Sequence, residues 1–152
     1  MDGRNLLDGW LAAMPPVAAM KIRTLQGDTD ATVLRLHAPL SANVNDKACA
    51  FGGSLASIMT LAGWGWLMLR LHAQGDAAGV YVADSQVRYR APLYDDLLAE
   101  ARLADGQDWD GIARLFASRG RARATMSTRV LDASGVAVAT MDARFALLRG
   151  GG

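Results

Sequence analysis

Between His37 and Thr60 the chain sets groups capable of chemistry close together: His37, Asn45, Asp46, Lys47, Cys49, Phe51-Gly52-Gly53-Ser54, Ser57 and Thr60. Cys49, the one cysteine, has the right atom for nucleophilic attack. A thiol needs a neighbouring base to work as a thiolate, and no second residue near it in sequence looks like one, so a buried or loop thiol is expected. Asp46 would take a proton only if its loop folds inward; beside Lys47 its ordinary role is a solvated ion pair. His37 and His72 fall at the ends of a predicted strand and helix, where histidines cap or face solvent. Arg119, Arg121 and Arg123 form the densest basic cluster, suited either to a phosphate or to a solvated sheet face.

The elements that must hold these groups follow from patterning. The 152 residues are 51% hydrophobic and 20% charged, with 16 Lys+Arg against 15 Asp+Glu. That composition fits one domain over 1–152 with a real core, and excludes disorder, a disulfide scaffold, a Cys-rich metal site and a polyanion-coating protein. Asp2, Asp8 and Met14-Pro15-Pro16 interrupt any secretory leader, so the expected location is the cytoplasm. Ala48 to Leu69 carries no charge over 22 residues, long enough for a bilayer span. Its Gly52, Gly53, Gly63, Gly65, Ser54, Ser57 and Thr60, and the strand-like alternation after it, favour the buried centre of a soluble fold.

Leu6, Leu7, Trp10, Leu11 and Met14 recur at helical spacing, predicting a helix that ends at Pro15-Pro16. Strands are predicted over Val17 to Gln26 and Ala31 to His37, around the turn Gly27-Asp28-Thr29-Asp30. A polar segment, Ala38 to Phe51, leads into a helix from about Gly53 to His72. Along one side of it Gly53, Ala56, Ser57, Thr60 and Gly63 are small, allowing close approach. Val80 to Ala91 reads as a strand with Asp84, Gln86, Arg88 and Arg90 on one face and Tyr81, Ala83, Val87 and Tyr89 on the other. Leu97 to Ala104 follows, then a short helix capped by Asp108. Arg119 to Leu131 and Val136 to Leu148 form a final hairpin around Asp132-Ala133-Ser134-Gly135. In its first strand Arg121, Arg123, Thr125, Ser127 and Arg129 alternate with Ala122, Ala124, Met126 and Val130. Residues 149–152 read as a frayed end. The order is helix, two strands, a long buried helix, then mostly antiparallel strands, so one sheet must wrap the helix.

An α+β arrangement of that kind is the hotdog fold. Ala38-Pro39-Leu40, Asn43-Val44-Asn45-Asp46-Lys47, Phe51-Gly52-Gly53-Ser54-Leu55 and Leu61-Ala62-Gly63-Trp64-Gly65 resemble the thioesterase family typified by the C-terminal domain of the bacterial protein YiiD. At a looser level the chain resembles phenylacetate-pathway-type hotdog thioesterases, which carry an Asn six residues before a His-Gly-Gly and a carboxylate nine residues after that His. Here Asn45, Gly52 and Gly53 match, Phe51 replaces the His and Thr60 replaces the carboxylate.

The resemblance implies hydrolysis of an acyl-CoA or acyl-carrier-protein thioester, with no cofactor beyond the coenzyme A moiety of the substrate. Gly52 and Gly53 would hold the oxyanion through helix-start amides, Asn45 would orient the thioester or water, and Thr60 would position water without readily accepting its proton. Phe51, Ser54, Ser57, Arg121 and Arg123 would surround the substrate, the arginines near the nucleotide or pantetheine. It also implies a homodimer or higher homo-oligomer, with no nucleic-acid or membrane partner. The alternative is a non-catalytic acyl-thioester binding protein that has lost its general base.

Overall fold

A helix with no charged residue before Arg70 needs apolar surroundings on more than one side. In the computed structural model, which describes residues 2–29 and 32–150, that requirement organises the fold. Two N-terminal helices, α1 (Arg4–Ala12) and α2 (Pro15–Ala18), precede strands β1 (Arg23–Gln26) and β2 (Leu34–Ala38). The long helix α3 (Gly52–Ala73) comes next, then β3 (Ala78–Tyr89), β4 (Leu97–Leu103), α4 (Trp109–Arg119), β5 (Arg121–Leu131) and β6 (Ala137–Arg149). The strands form one six-stranded sheet in the order β1-β2-β4-β5-β6-β3, every neighbouring pair antiparallel. It curves around α3, which buries Leu55, Ile58, Met59, Leu67 and Leu69.

Close packing depends on small side chains on both partners. The sheet's concave face presents buried Ala99, Ala101, Ala122, Ala124, Ala139 and Ala143. From the helix side, a Cβ on Gly63 would lie 3.0 Å from the Phe145 ring, and one on Gly65 would lie 3.0 Å from Leu7 of α1. These two glycines are therefore packing devices that admit β6 and α1 against the helix. The architecture is the expected hotdog arrangement, and no helix among the described residues is long and apolar enough to cross a membrane.

Three local expectations change. The first helix ends at Ala12, and Pro15-Pro16 open α2 at its first two positions, where a missing N–H and a fixed φ are favourable. Val17 and Ala18 are thus helical, and of the predicted strand Val17 to Gln26 only Arg23–Gln26 forms. In β3 the register shifts between Val82 and Asp84; this bulge puts Tyr81 on the same face as Asp84, opposite the expected side. Asp30, Ala31 and the last two glycines lie outside the described residues. The Asp108 cap is present, its carboxylate accepting from the Gly111 N–H at 3.1 Å.

The convex face of the sheet is charged, and one carboxylate on it is buried. Glu100 is 9% exposed. It accepts from Arg35 Nε at 2.7 Å and from Arg129 Nε at 2.9 Å, linking β2, β4 and β5. Burial works to raise its pKa, but the two guanidinium hydrogen bonds outweigh burial and hold it below the ordinary glutamate value. A carboxyl whose folded pKa is depressed contributes stability that is complete above the ordinary value and is lost as pH falls through the depressed one. Charge-assisted hydrogen bonds of this kind contribute about 1.5–3 kcal/mol. Glu100→Gln is accordingly expected to lower the denaturant midpoint at pH 7, and the gap from the parent should narrow as pH drops below the ordinary glutamate range.

Candidate functional site

The loop between β2 and α3 is built by two asparagines. Asn43, 3% exposed, donates through Nδ2 to the carbonyls of Met20 (3.0 Å) and Pro39 (2.8 Å), while its backbone carbonyl accepts from the Phe51 N–H at 2.7 Å. It therefore ties both ends of the loop to each other and to the segment before β1. Asn45 closes the tip. Its Oδ1 accepts from the amides of Lys47 (2.7 Å) and Cys49 (3.2 Å), and its Nδ2 donates to Cys49 Sγ at 3.3 Å. The tightness of this tip puts Ala48 in the left-handed region, at φ 63.

Phe51 delivers the chain into α3 with extended backbone, φ −64 and ψ 130, and no side chain caps the helix or places an acid in its first turn. Among the described residues no acceptor meets the N–H of Gly52 or Gly53. Two amides and the positive end of a 22-residue helix therefore stand without a counter-charge. Two aromatic rings border this turn. The Phe51 ring lies back over Gly53, where a Cβ would fall 2.4 Å from Cε2, so only glycine leaves it that position. Tyr89, at the end of β3, rests its ring beside Gly52 and donates its hydroxyl to the Gly52 carbonyl at 3.2 Å. Both rings are half in solvent, 55% and 57% exposed, so they flank the turn without sealing it. Tyr89 was legible only as a strand residue, because its approach to the helix depends on the pairing of β3 with β6.

Along α3 the remaining candidates spread out. Ser54 is buried, whereas Ser57 is exposed one turn beyond Gly53. Thr60 lies roughly 10 Å from Gly53 along the axis, and its hydroxyl donates to the Ala56 carbonyl at 2.9 Å. That proton is committed to the helix; the oxygen can still accept from water. Cys49 is buried with Asn45 as its polar neighbour, the loop thiol expected. Asp46 pairs with Lys47 at 3.0 Å in solvent. His37 contacts Asp96 at 3.0 Å, and His72 stacks edge-on against Trp10.

Arg121 and Arg123 do not join this group within one chain. With Arg119 they rim a groove of about 520 Å³ floored by Leu115, Ala146 and Leu148. Arg123 lies opposite Ala146, which lies opposite Tyr81 on β3. Tyr89 and the helix start are therefore a strand's length away, roughly 25 Å.

The geometry can be set beside known proteins. A Chlorobaculum tepidum protein described as of unknown function superposes with TM-score 0.89 at 24% identity, over 96% of this chain and 94% of that one. A Shewanella oneidensis protein described as a "putative thioesterase" does so with TM-score 0.81 at 26% identity, over 95% of each chain. A Pseudomonas aeruginosa protein described as a "probable thioesterase" gives 0.79 at 20% identity, again over 95% of each. The family model described as "Putative thioesterase (yiiD_Cterm)" matches residues 4–149. Since that match takes in the asparagine loop, the open helix start and all six strands, the chain belongs to this thioesterase family.

Proposed function

We propose that the protein hydrolyses the thioester bond of acyl-CoA or acyl-carrier-protein substrates in the cytoplasm, with the reacting carbonyl seated on the first turn of α3. The observation that carries this reading is the pair of unpartnered amides at Gly52 and Gly53 in a chain of this family. Attack by water moves negative charge onto the carbonyl oxygen, and preorganised N–H donors without a counter-ion favour that state over the ground state. Asn45 has a second Nδ2 proton beyond the one given to Cys49 and orients the thioester or the water. Ser57 lies one turn beyond Gly53 and Thr60 two turns beyond; both accept a hydrogen bond from water. Phe51 and Tyr89 form the walls. Arg121 and Arg123 bind phosphates of the carrier. No bound cofactor is required.

The chain works in this reading as a homodimer paired along β3. That strand is at the sheet edge, and it exposes Tyr81, Val82 and Tyr89. An unpaired edge of this length is a ready template for another strand.

A second reading, an acyl-thioester binder without turnover, draws on one observation: no histidine or carboxylate stands in the first turn of α3, and the Thr60 proton is already given to Ala56. Calorimetry run alongside a thiol-release assay separates the two, since hydrolysis predicts thiol release and the binder predicts heat without it. The oxyanion role has its own test. Gly52→Pro deletes one donor at the first helical position, which tolerates proline, and the extended backbone of Phe51 suits a following proline. Turnover should fall about 100-fold or more with the melting temperature little changed; unchanged turnover rejects the role. Sedimentation should give twice the mass of one chain, and Val82→Lys should return it to one.

A further inference from the structure

The thioester reading leaves open what acyl group the site accepts, and the surface beside α3 bears on it. Beyond Gly53 the helix turns Ala56, Ser57, Thr60 and Leu61 toward a hollow of about 270 Å³ closed on one side by Val17 of α2. A second hollow, of about 310 Å³, lies between Met14, Trp64, Val80, Val82 and Phe145. Both are lined by Thr60 and Leu61, so they form one trough. It begins at Ala56, about one turn beyond Gly53, and runs roughly 12 Å along the helix to Trp64 at 1.5 Å per residue.

No charged residue lines the trough. The Thr60 hydroxyl is turned back to the Ala56 carbonyl, and Ser57 stands at the end nearest Gly53. An acyl chain bound through a carbonyl on the first turn must leave along some surface. Three further hollows lie away from the first turn of α3: on the convex face around Glu100, at the arginine groove, and at the far end of α3 beside His72. The trough continues down the side of the helix that Gly53 opens.

We propose that this trough holds the acyl chain of the thioester, so that the substrates are unbranched, apolar acyl groups of medium length, with Met14 and Trp64 setting the far limit. The inference rests on the thioester reading above. Burial of each added methylene favours binding by about fourfold, so kcat/KM should climb at about that rate from butyryl-CoA through octanoyl- to decanoyl-CoA. It should level off once the chain reaches Trp64. A charged acyl group such as succinyl gains nothing from these walls.

The test is the chain-length series on the parent, on Ala56→Leu, which fills the trough near its start, and on Met14→Ala, which opens its far end. Ala56→Leu should lower kcat/KM for decanoyl-CoA more than tenfold and for butyryl-CoA by a clearly smaller factor, because a short chain forfeits less of the trough. Met14→Ala should move the optimum to longer chains even if Ala56→Leu fails to fold. Hydrolysis indifferent to chain length, or a loss equal for all chains, overturns the trough while leaving the hydrolase reading intact. No hydrolysis of any thioester overturns the hydrolase reading. In that event calorimetry with non-hydrolysable alkyl-CoA thioethers decides the trough: affinity that rises with chain length supports it, and flat affinity overturns it. If a second copy of the chain fills the trough, Ala56→Leu will alter dimer dissociation and leave chain-length dependence unmoved, which also overturns it.

Discussion

Enclosure of a helix that is apolar on nearly every side is the constraint from which the rest of this structure follows. α3 has no polar face to give to water, so the sheet must curve around it. The sheet can come close only because its concave face is rich in alanine and the helix carries glycine where β6 and α1 press hardest. Burial at this density leaves little tolerance for change in side-chain volume. The one side of α3 that the sheet and α1 leave open carries small residues, and there the protein keeps space.

A second constraint concerns the helix start. A helix of this length normally finds a capping side chain or an acid for its first turn. Here the loop's asparagine side chains are spent away from the helix start, Asn43 on Pro39 at the loop's beginning and on Met20 before β1, and Asn45 on the loop's tip. The result is a rigid approach that stops one residue short of the helix and leaves its dipole unneutralised. In the proposed function this turn receives the negative charge that develops on the reacting carbonyl oxygen.

Much of this was legible in the sequence for particular reasons. The uncharged run from Ala48 to Leu69 fits either a bilayer span or a helix enclosed by a sheet; its glycines and the strands after it favour the second, and the structure has that enclosed helix. The period-two alternation from Arg121 to Val130 forms the strand it predicts. Gly63 and Gly65 read as packing positions and are so. Pro15-Pro16 misled because proline ends one helix and begins another equally well, and spacing alone does not distinguish the two. The face assignment of Tyr81 failed at a bulge, which inserts one residue and reverses the phase beyond it without a sequence mark. Residue type and resemblance singled out Asn45, Gly52 and Gly53 as candidates, but did not indicate that the Asn45 side-chain oxygen is turned onto its own loop or that Tyr89 reaches the first turn. The second fact depends on contacts between segments distant in sequence.

The two borders of the sheet differ in kind. At one, β1 offers four residues with an irregular register, a ragged margin that gives an incoming strand little to grip. At the other, β3 offers twelve, divided by its bulge into two straight stretches. A molecule with one adhesive margin and one blunt margin can satisfy itself by meeting its own likeness once, and the union then presents only blunt margins outward. In the proposed dimer, growth into ribbons would be stopped by geometry, without any need for charge to repel further copies.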